Sequence, residues 1–373
     1  MRILWIPHTG WHIPQRAHLF CHGLAEQHEV HATDWVADFA SARDYLSWRY
    51  VRNFTYRRYR DGNVTVHGIP RVSPALHSRA LRRLNTAVFT AIVARIIEQH
   101  AIDVVVGTFV LPPPQAPRLV FDLFDDNVSY WRSFGRAARY ADEIAQTESA
   151  YLQEADAIVA VSSVLVDRAH ELGARSAVHH IPNGIDLERF ASADGAQVRA
   201  RWGIRGRLVG AVGNHDKPAE MEKILAAARA LMGQEVTFLI AGRGAAVPAA
   251  SQRARREGLH NVVFHGYVPP SEAAETVAAL DVGLCPYRKT PGADAGSPMR
   301  LLMYAAAGVP AVCTDLEEVR RMGFPNVVLV EDNAHALADG IQLALRLERA
   351  QPPQIAAYDI RRLIRQYESV LQA

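Results

Sequence analysis

Short apolar runs, many of them β-branched, alternate along this chain with longer stretches whose apolar positions recur three and four residues apart. The runs predict strands at residues 4–7, 30–33, 63–69, 103–106, 119–124, 157–161 and 178–181. The periodic stretches predict helices at 15–27, 81–100 and 140–155, and one that Ser162 or Ser163 caps and that ends near Gly173. The 63–69 run alternates, which suits a strand near a sheet edge. A strong turn signal, Pro182-Asn183-Gly184-Ile185-Asp186, then interrupts the pattern. Beyond it the alternation restarts, with strands at 208–212, 236–241, 262–264, 282–285, 309–313 and 327–330. Helices are expected between them at 219–232, 248–257, 271–280, 299–307 and 334–349. Gln351-Pro352-Pro353 breaks the pattern again, so the last helix is expected to pack on the first half. Such alternation gives parallel sheets with crossover helices. The expected domains are residues 1–185 joined by 355–373, and residues 186–354.

One stretch, 292–314 (GADAGSPMRLLMYAAAGVPAVCT), organises the second half. Ser297 reads as a helix cap and Pro298 as a first-turn residue, because proline needs no donor there. Gly308 suits the left-handed residue that ends the helix. A loop meeting a helix start leaves several N–H groups without partners, and these favour an anion. Arg300 adds a full positive charge. The same pattern also fits an ordinary helix–strand unit.

Composition narrows the class. With 373 residues, 49% of them apolar, and a net charge of +2, the chain has cores for two domains and no global field for nucleic acid. Cys21, Cys285 and Cys313 are scattered with no CxxC, which fits a reduced, cytoplasmic protein. The apolar run at the start is too short for a signal peptide. The longest mostly apolar stretch, 101–114, contains Asp103 and Pro112, Pro113 and Pro114, and cannot span a bilayer.

Several candidate chemistries can be weighed. Gly242-Arg243-Gly244 follows a strand like a dinucleotide fingerprint, but Val247 holds the third glycine position and no acid stands at ribose distance. There is no GxxxxGK phosphate loop. His179 and His180 point to opposite faces of one strand. His8 and His12 have no acidic or cysteine partners nearby, so no metal is expected. Asp125 and Asp126 end a buried strand, where one could cap a helix or orient an acceptor hydroxyl. Lys217 follows the 208–212 strand and is placed either as a solvated loop residue or to meet a diphosphate. Residues 43–60, rich in arginine and aromatics, fit a solvated helix, an acceptor surface or a peripheral membrane contact, with nucleic acid least favoured.

Taken in order, FDLFDD, YLQEADAIVAVS, HHIPNGIDLERF, NVVFHGYVPPSEAAETVAALDVGLCPYR and SPMRLLMYAAAGVPAVC cover nearly the full length. Together with Gln15-Arg16 opening the first helix, they resemble GT-B glycosyltransferases of the type grouped in glycosyltransferase family 4. The resemblance implies an α/β fold of two Rossmann-like domains facing across a cleft. It implies a retaining, metal-independent transfer from a nucleotide-diphosphate sugar to an acceptor hydroxyl of a natural product or a cell-envelope glycan, with no further cofactor. Lys217 and Arg300 would stabilise the leaving diphosphate, with Ser297, Pro298 and Met299 at the helix start holding it. Arg243, Gly266, Tyr267 and Val268 would line the base and ribose, Gly10 would let the N-terminal loop approach the donor, and Asp125 or Asp126 would position the acceptor.

Departures from the family pattern are also visible. Glutamates that relatives often carry are replaced by Ala295 and Met303, with Asp294 one residue from the first. Asn214 stands near the place of an arginine, and Phe124 near that of a histidine. The loss at Met303 keeps open the alternative of a non-catalytic GT-B subunit that binds a sugar or a partner enzyme. A lipid-linked acceptor at the inner face of the membrane is a further expectation.

Overall fold

The computed structural model describes residues 1–11, 15–35, 54–72, 78–132 and 138–373; His12 and residues 43–53 lie outside them. Two compact units emerge, Met1–Pro182 with Arg361–Ala373, and Asn183–Ile360. Residues 183–185 and 355–360, expected with the first half, pack in the second unit. Ile185 donates its amide to the carbonyl of Tyr358 at 2.9 Å and accepts from the amide of Ile360 at 3.0 Å. Ile355 and Tyr358 are buried in the same core as Leu301 and Leu302.

The first unit holds an eight-stranded sheet of β1 (Arg2–Trp5), β2 (Glu29–Asp34), β3 (Arg57–Asp61), β4 (Val64–Gly68), β5 (Val104–Gly107), β6 (Leu119–Leu123), β7 (Ala157–Ala160) and β8 (Val178–His180). Their order is β3-β4-β2-β1-β5-β6-β7-β8. All pairs are parallel except the β3–β4 hairpin. β4 is buried along its length and lies second from the edge. The edge is β3, where Arg57, Arg58 and Arg60 defend unpaired backbone against further strands. Part of the segment read as a surface helix is therefore a strand.

Serine caps set two helix starts: Ser78 Oγ accepts from the Leu81 amide, and Ser162 Oγ from that of Leu165 at 3.1 Å. Helix Ile360–Gln372 closes this core from Arg361 onward. The Tyr367 ring lies 5.0 Å from those of Trp5 and Phe20. Beside it, Arg16 and Asp122 form an ion pair at 3.1 Å, both almost fully buried. Arg16 Nη1 also donates to the carbonyl of Pro182 at 2.8 Å.

The second unit holds a parallel sheet of β9 (Arg207–Val212), β10 (Val236–Ala241), β11 (Val262–Gly266), β12 (Val282–Cys285), β13 (Ala311–Thr314) and β14 (Val327–Val330). The order is β11-β10-β9-β12-β13-β14. Alternate side chains feed two apolar cores, with Leu208 and Val212 in one and Val209 and Ala211 in the other. Strand order reverses between β9 and β12, the crevice where doubly wound sheets bind ligands. Among the described residues, no helix is long and apolar enough to cross a membrane.

Candidate phosphate site at the β9 switch point

Helix Met299–Ala306 starts at this crevice. Its N-cap is Pro298 in extended conformation, and Ser297 is not the cap. The Ser297 Oγ is shielded from solvent and has no partner among the described residues, while its carbonyl accepts from Asn183 Nδ2 at 2.9 Å. The turn motif thus braces the loop. A short helix, Pro291–Asp294, precedes it, with Thr290 Oγ1 accepting from the Ala293 amide. Tyr304 anchors the main helix by occupying the space over Gly283, where an added Cβ would lie 2.3 Å from its ring. Gly308 has φ +66, the left-handed ending the sequence predicts.

Arg300 acts as a clamp. It is buried, with Nε donating to the carbonyl of Val212 at 3.0 Å and Nη2 to that of Asn214 at 2.8 Å. Nη1 is buried without a partner among the described residues. Leaving such a donor unsatisfied costs about 1–3 kcal/mol, more for a charged group. The Leu301 amide donates to the Pro298 carbonyl at 3.0 Å, which leaves those of Met299 and Arg300 as the helix-start amides without an intrahelical acceptor.

The loop after β9 is shaped by Gly242 and Gly244. A Cβ on Gly242 would lie 1.8 Å from the Gly213 carbonyl oxygen, and one on Gly244 2.2 Å from that of His215. Both have positive φ, so the glycine pair lets two loops cross. His215 is buried in this crossing, donating its amide to the carbonyl of Arg243, and burial holds its ring pKa down at about 4.

Lys217 is exposed at the start of helix Pro218–Ala230. Inside the first turn of that helix sits Glu220, which the sequence reading misses. It is buried and Oε1 lacks a partner among the described residues. Burial pushes its carboxyl above the usual range, while Arg300, Lys217 and Lys223 pull it back. One buried acid therefore feels three cations. Lys223, also missed, donates to the carbonyl of Tyr287 at 2.8 Å and pairs with Asp332. The only signal for Glu220 is its place as an acidic residue after a first-turn proline.

Next to the crossing, Gly266 has φ +82 and accepts from the Gly242 amide at 2.6 Å. The Arg243 guanidinium lies 4.2 Å from the centre of the Tyr267 ring, which is 51% exposed, and Val268 is half-buried. Asp294 does not stand free as a replacement acid, because its Oδ1 accepts from the Glu317 amide at 2.9 Å and from Lys289 Nζ at 3.3 Å. Met299 and Met303 are half-buried against the apolar core, and the Met303 thioether cannot supply the charged hydrogen bond a carboxylate would give a hydroxyl.

In the first unit, Gly10 is buried in the loop after β1. The two aspartates after β6 separate in role. Asp126 is buried, accepts from the Ser129 amide at 2.9 Å as a cap and pairs with Arg168, which also holds Glu148 at 2.8 Å. Half-buried Asp125 accepts from the Asp126 amide at 2.9 Å. The His8 ring stacks on Phe124 at 3.6 Å, and burial lowers its pKa to about 4.

Comparison with known proteins places these features. The model of glycosyl transferases group 1 matches residues 206–346, and that of Glycosyltransferase Family 4 matches residues 13–189. TuaH of Bacillus subtilis (strain 168), named as a teichuronic acid biosynthesis glycosyltransferase, is 31% identical over 199 residues. That match takes in 52% of this chain and 49% of TuaH, so the chain spans about half the length of the curated relative. Sucrose-phosphate synthase of Thermosynechococcus elongatus superposes with a TM-score of 0.77 at 15% identity, over 100% of this chain and 98% of that one. Anabaena HepE in complex with UDP-glucose gives 0.69 at 18% identity, covering 100% and 99%. The chain belongs to the group 1, family 4 glycosyltransferases and has the GT-B fold.

Proposed function

We propose that this chain is a retaining glycosyltransferase, moving a sugar from a nucleotide-diphosphate sugar to an acceptor hydroxyl. The observation that carries this is Arg300, pinned by two carbonyls with its third nitrogen buried and without a partner among the described residues, beside a helix start at the switch point. The diphosphate leaves toward the Arg300 and Lys217 side chains and the Met299 and Arg300 amides, which stabilise charge that grows as the bond to the sugar breaks. The acceptor oxygen bonds to the anomeric carbon on the face the diphosphate vacates, and its proton passes to the departing phosphate. Lys217 and Arg300 supply positive charge for this step without a metal. Tyr267 and Arg243 offer a stacking surface for the base. Of the two aspartates, the half-buried Asp125 is the more accessible to an acceptor hydroxyl.

HepE was solved with UDP-glucose, which makes UDP-sugars the first donors to test. The name of TuaH supports a cell-envelope glycan as acceptor. Phe54 and Tyr59, both exposed beside Arg57, Arg58 and Arg60, support a peripheral lipid contact. Protein remaining in the supernatant with anionic vesicles at low salt would remove that contact.

A thermal-shift panel of nucleoside diphosphates, followed by product detection with the matching sugars, tests the main reading. Stabilisation by one nucleoside diphosphate is expected, since ligand at a hundred times its Kd adds about 2.7 kcal/mol. Silence across the panel would instead support a non-catalytic subunit.

A further inference from the structure

Away from the β9 crevice, the first unit carries three histidines from distant parts of the chain. His31 lies on β2, His67 on β4 and His100 at the end of helix Arg79–Gln99. The β2–β4 register pairs His31 with Thr65 and Thr33 with His67, so the two histidines sit diagonally on one face. One ring nitrogen from each of the three lies within 4.8 Å of the others. His31 and His67 are fully buried and His100 is half-buried.

We propose that His31 Nδ1, His67 Nε2 and a ring nitrogen of His100 form a binding site for one first-row divalent transition metal ion, with zinc the natural occupant. Three imidazoles without a thiolate suit zinc, copper, nickel or cobalt, and disfavour magnesium or calcium. The outward nitrogens of the two buried rings already have the partners that metal-bound histidines need. His31 Nε2 meets Glu29 Oε1 at 3.0 Å, and His67 Nδ1 meets the Tyr56 hydroxyl at 2.6 Å. The Glu29 carboxylate holds His31 as the Nε2–H tautomer with Nδ1 open as a ligand, and the Tyr56 hydroxyl can accept from His67 Nδ1 once an ion displaces the proton on Nε2.

The inward nitrogens of His31 and His67 are 2.8 Å apart and share a hydrogen bond. Tetrahedral zinc, with Zn–N of about 2.0–2.1 Å, separates its ligands by roughly 3.4 Å. The pair must open by about half an ångström and His100 must close in, which rotamer adjustment of ring side chains supplies. Three protein ligands leave the fourth tetrahedral position for a water. An ion here joins β2, β4 and a helix end, and it is remote in sequence from every residue assigned to sugar transfer.

Untagged full-length protein, stripped with chelator, should be titrated with Co2+ and then Zn2+. Binding of one Co2+ with the intense visible bands of a tetrahedral nitrogen site, displaced by one Zn2+ and accompanied by a rise in Tm, supports the proposal. H100A removes a half-buried ligand and leaves the buried pair in place, so its fold is checked by circular dichroism. Its affinity should fall at least about tenfold, since even outer partners of metal ligands cost 10–100-fold. His31→Phe should lose the visible bands. Absence of stoichiometric binding in the parent protein overturns the site, as does unchanged affinity in H100A. Neither readout depends on nucleotide binding or turnover.

Discussion

Arg300 Nε donates to the carbonyl of Val212 at 3.0 Å, tying the first turn of helix Met299–Ala306 to the end of β9. With the bond to Asn214, the guanidinium serves two purposes: it holds the crevice together and presents one remaining donor to it. Arg300→Met should lower unfolding free energy by roughly 2–5 kcal/mol, because two carbonyls lose a charged donor. Arg300→Lys keeps the charge and loses the fork, so it should recover only part of both stability and nucleotide affinity. Urea midpoints and UDP titrations separate the effects. A methionine variant as stable as the parent would show that the clamp is not structural.

Lys217 sits at the start of its helix, where its loss disturbs little packing. Lys217→Ala should reduce turnover at least about a hundredfold with an unchanged Tm, the usual cost of removing one charge-stabilising donor. Near-normal turnover with a nucleotide sugar would remove the lysine from the mechanism.

Tyr267 is exposed and carries Arg243 on its face. A base stacked against it would gain about 1–3 kcal/mol. Tyr267→Ala should therefore weaken nucleoside diphosphate binding by about tenfold or more and leave thermal stability within about 0.5 kcal/mol. Calorimetric titration measures the first effect and a melting curve the second.

Glu148 and Asp126 share one guanidinium, that of Arg168. Burial raises the Glu148 carboxyl to about 7, with Arg168 opposing the shift and Asp126 adding to it. In the unfolded chain the same group titrates near 4.3. The folded protein then keeps a proton that the unfolded chain releases, so this contribution is whole below about 4.3 and lost as pH rises through about 7. The loss is on the order of 2–4 kcal/mol. Glu148→Gln should flatten that slope in urea midpoints taken across the interval; a slope unchanged by the substitution would reassign it to another group.

Much of the fold is legible from the sequence because buried parallel strands write continuous apolar runs, as Val104–Gly107 does. β3 is hidden for the opposite reason: an edge strand facing solvent reads as charge and aromatics. Ser297 precedes a proline as a cap would, but the chain is still extended at Pro298, so the helix begins one residue later than the pattern suggests. Asp126 could cap or catalyse on sequence grounds, and its bond from the Ser129 amide and its pairing with Arg168 are visible only in the fold. Glu220 and the three histidines are missed for a common reason. Burial and spatial neighbours decide their chemistry, and neither is written in local spacing.

Tyr367 packs against Trp5 and Phe20, which are synthesised long before it. On the ribosome, the unit made first must wait for the last helix, while Asn183–Ile360 emerges complete and folds ahead of it. Until then the Trp5–Phe20 face and the Arg16–Asp122 pair beside it are open to water or to a chaperone. A chain stopped at residue 360 should accordingly show a cooperative melt for the second unit and dye-binding, protease-sensitive apolar surface in the first. The Trp5–Phe20 face stays vulnerable for as long as helix Ile360–Gln372 is missing.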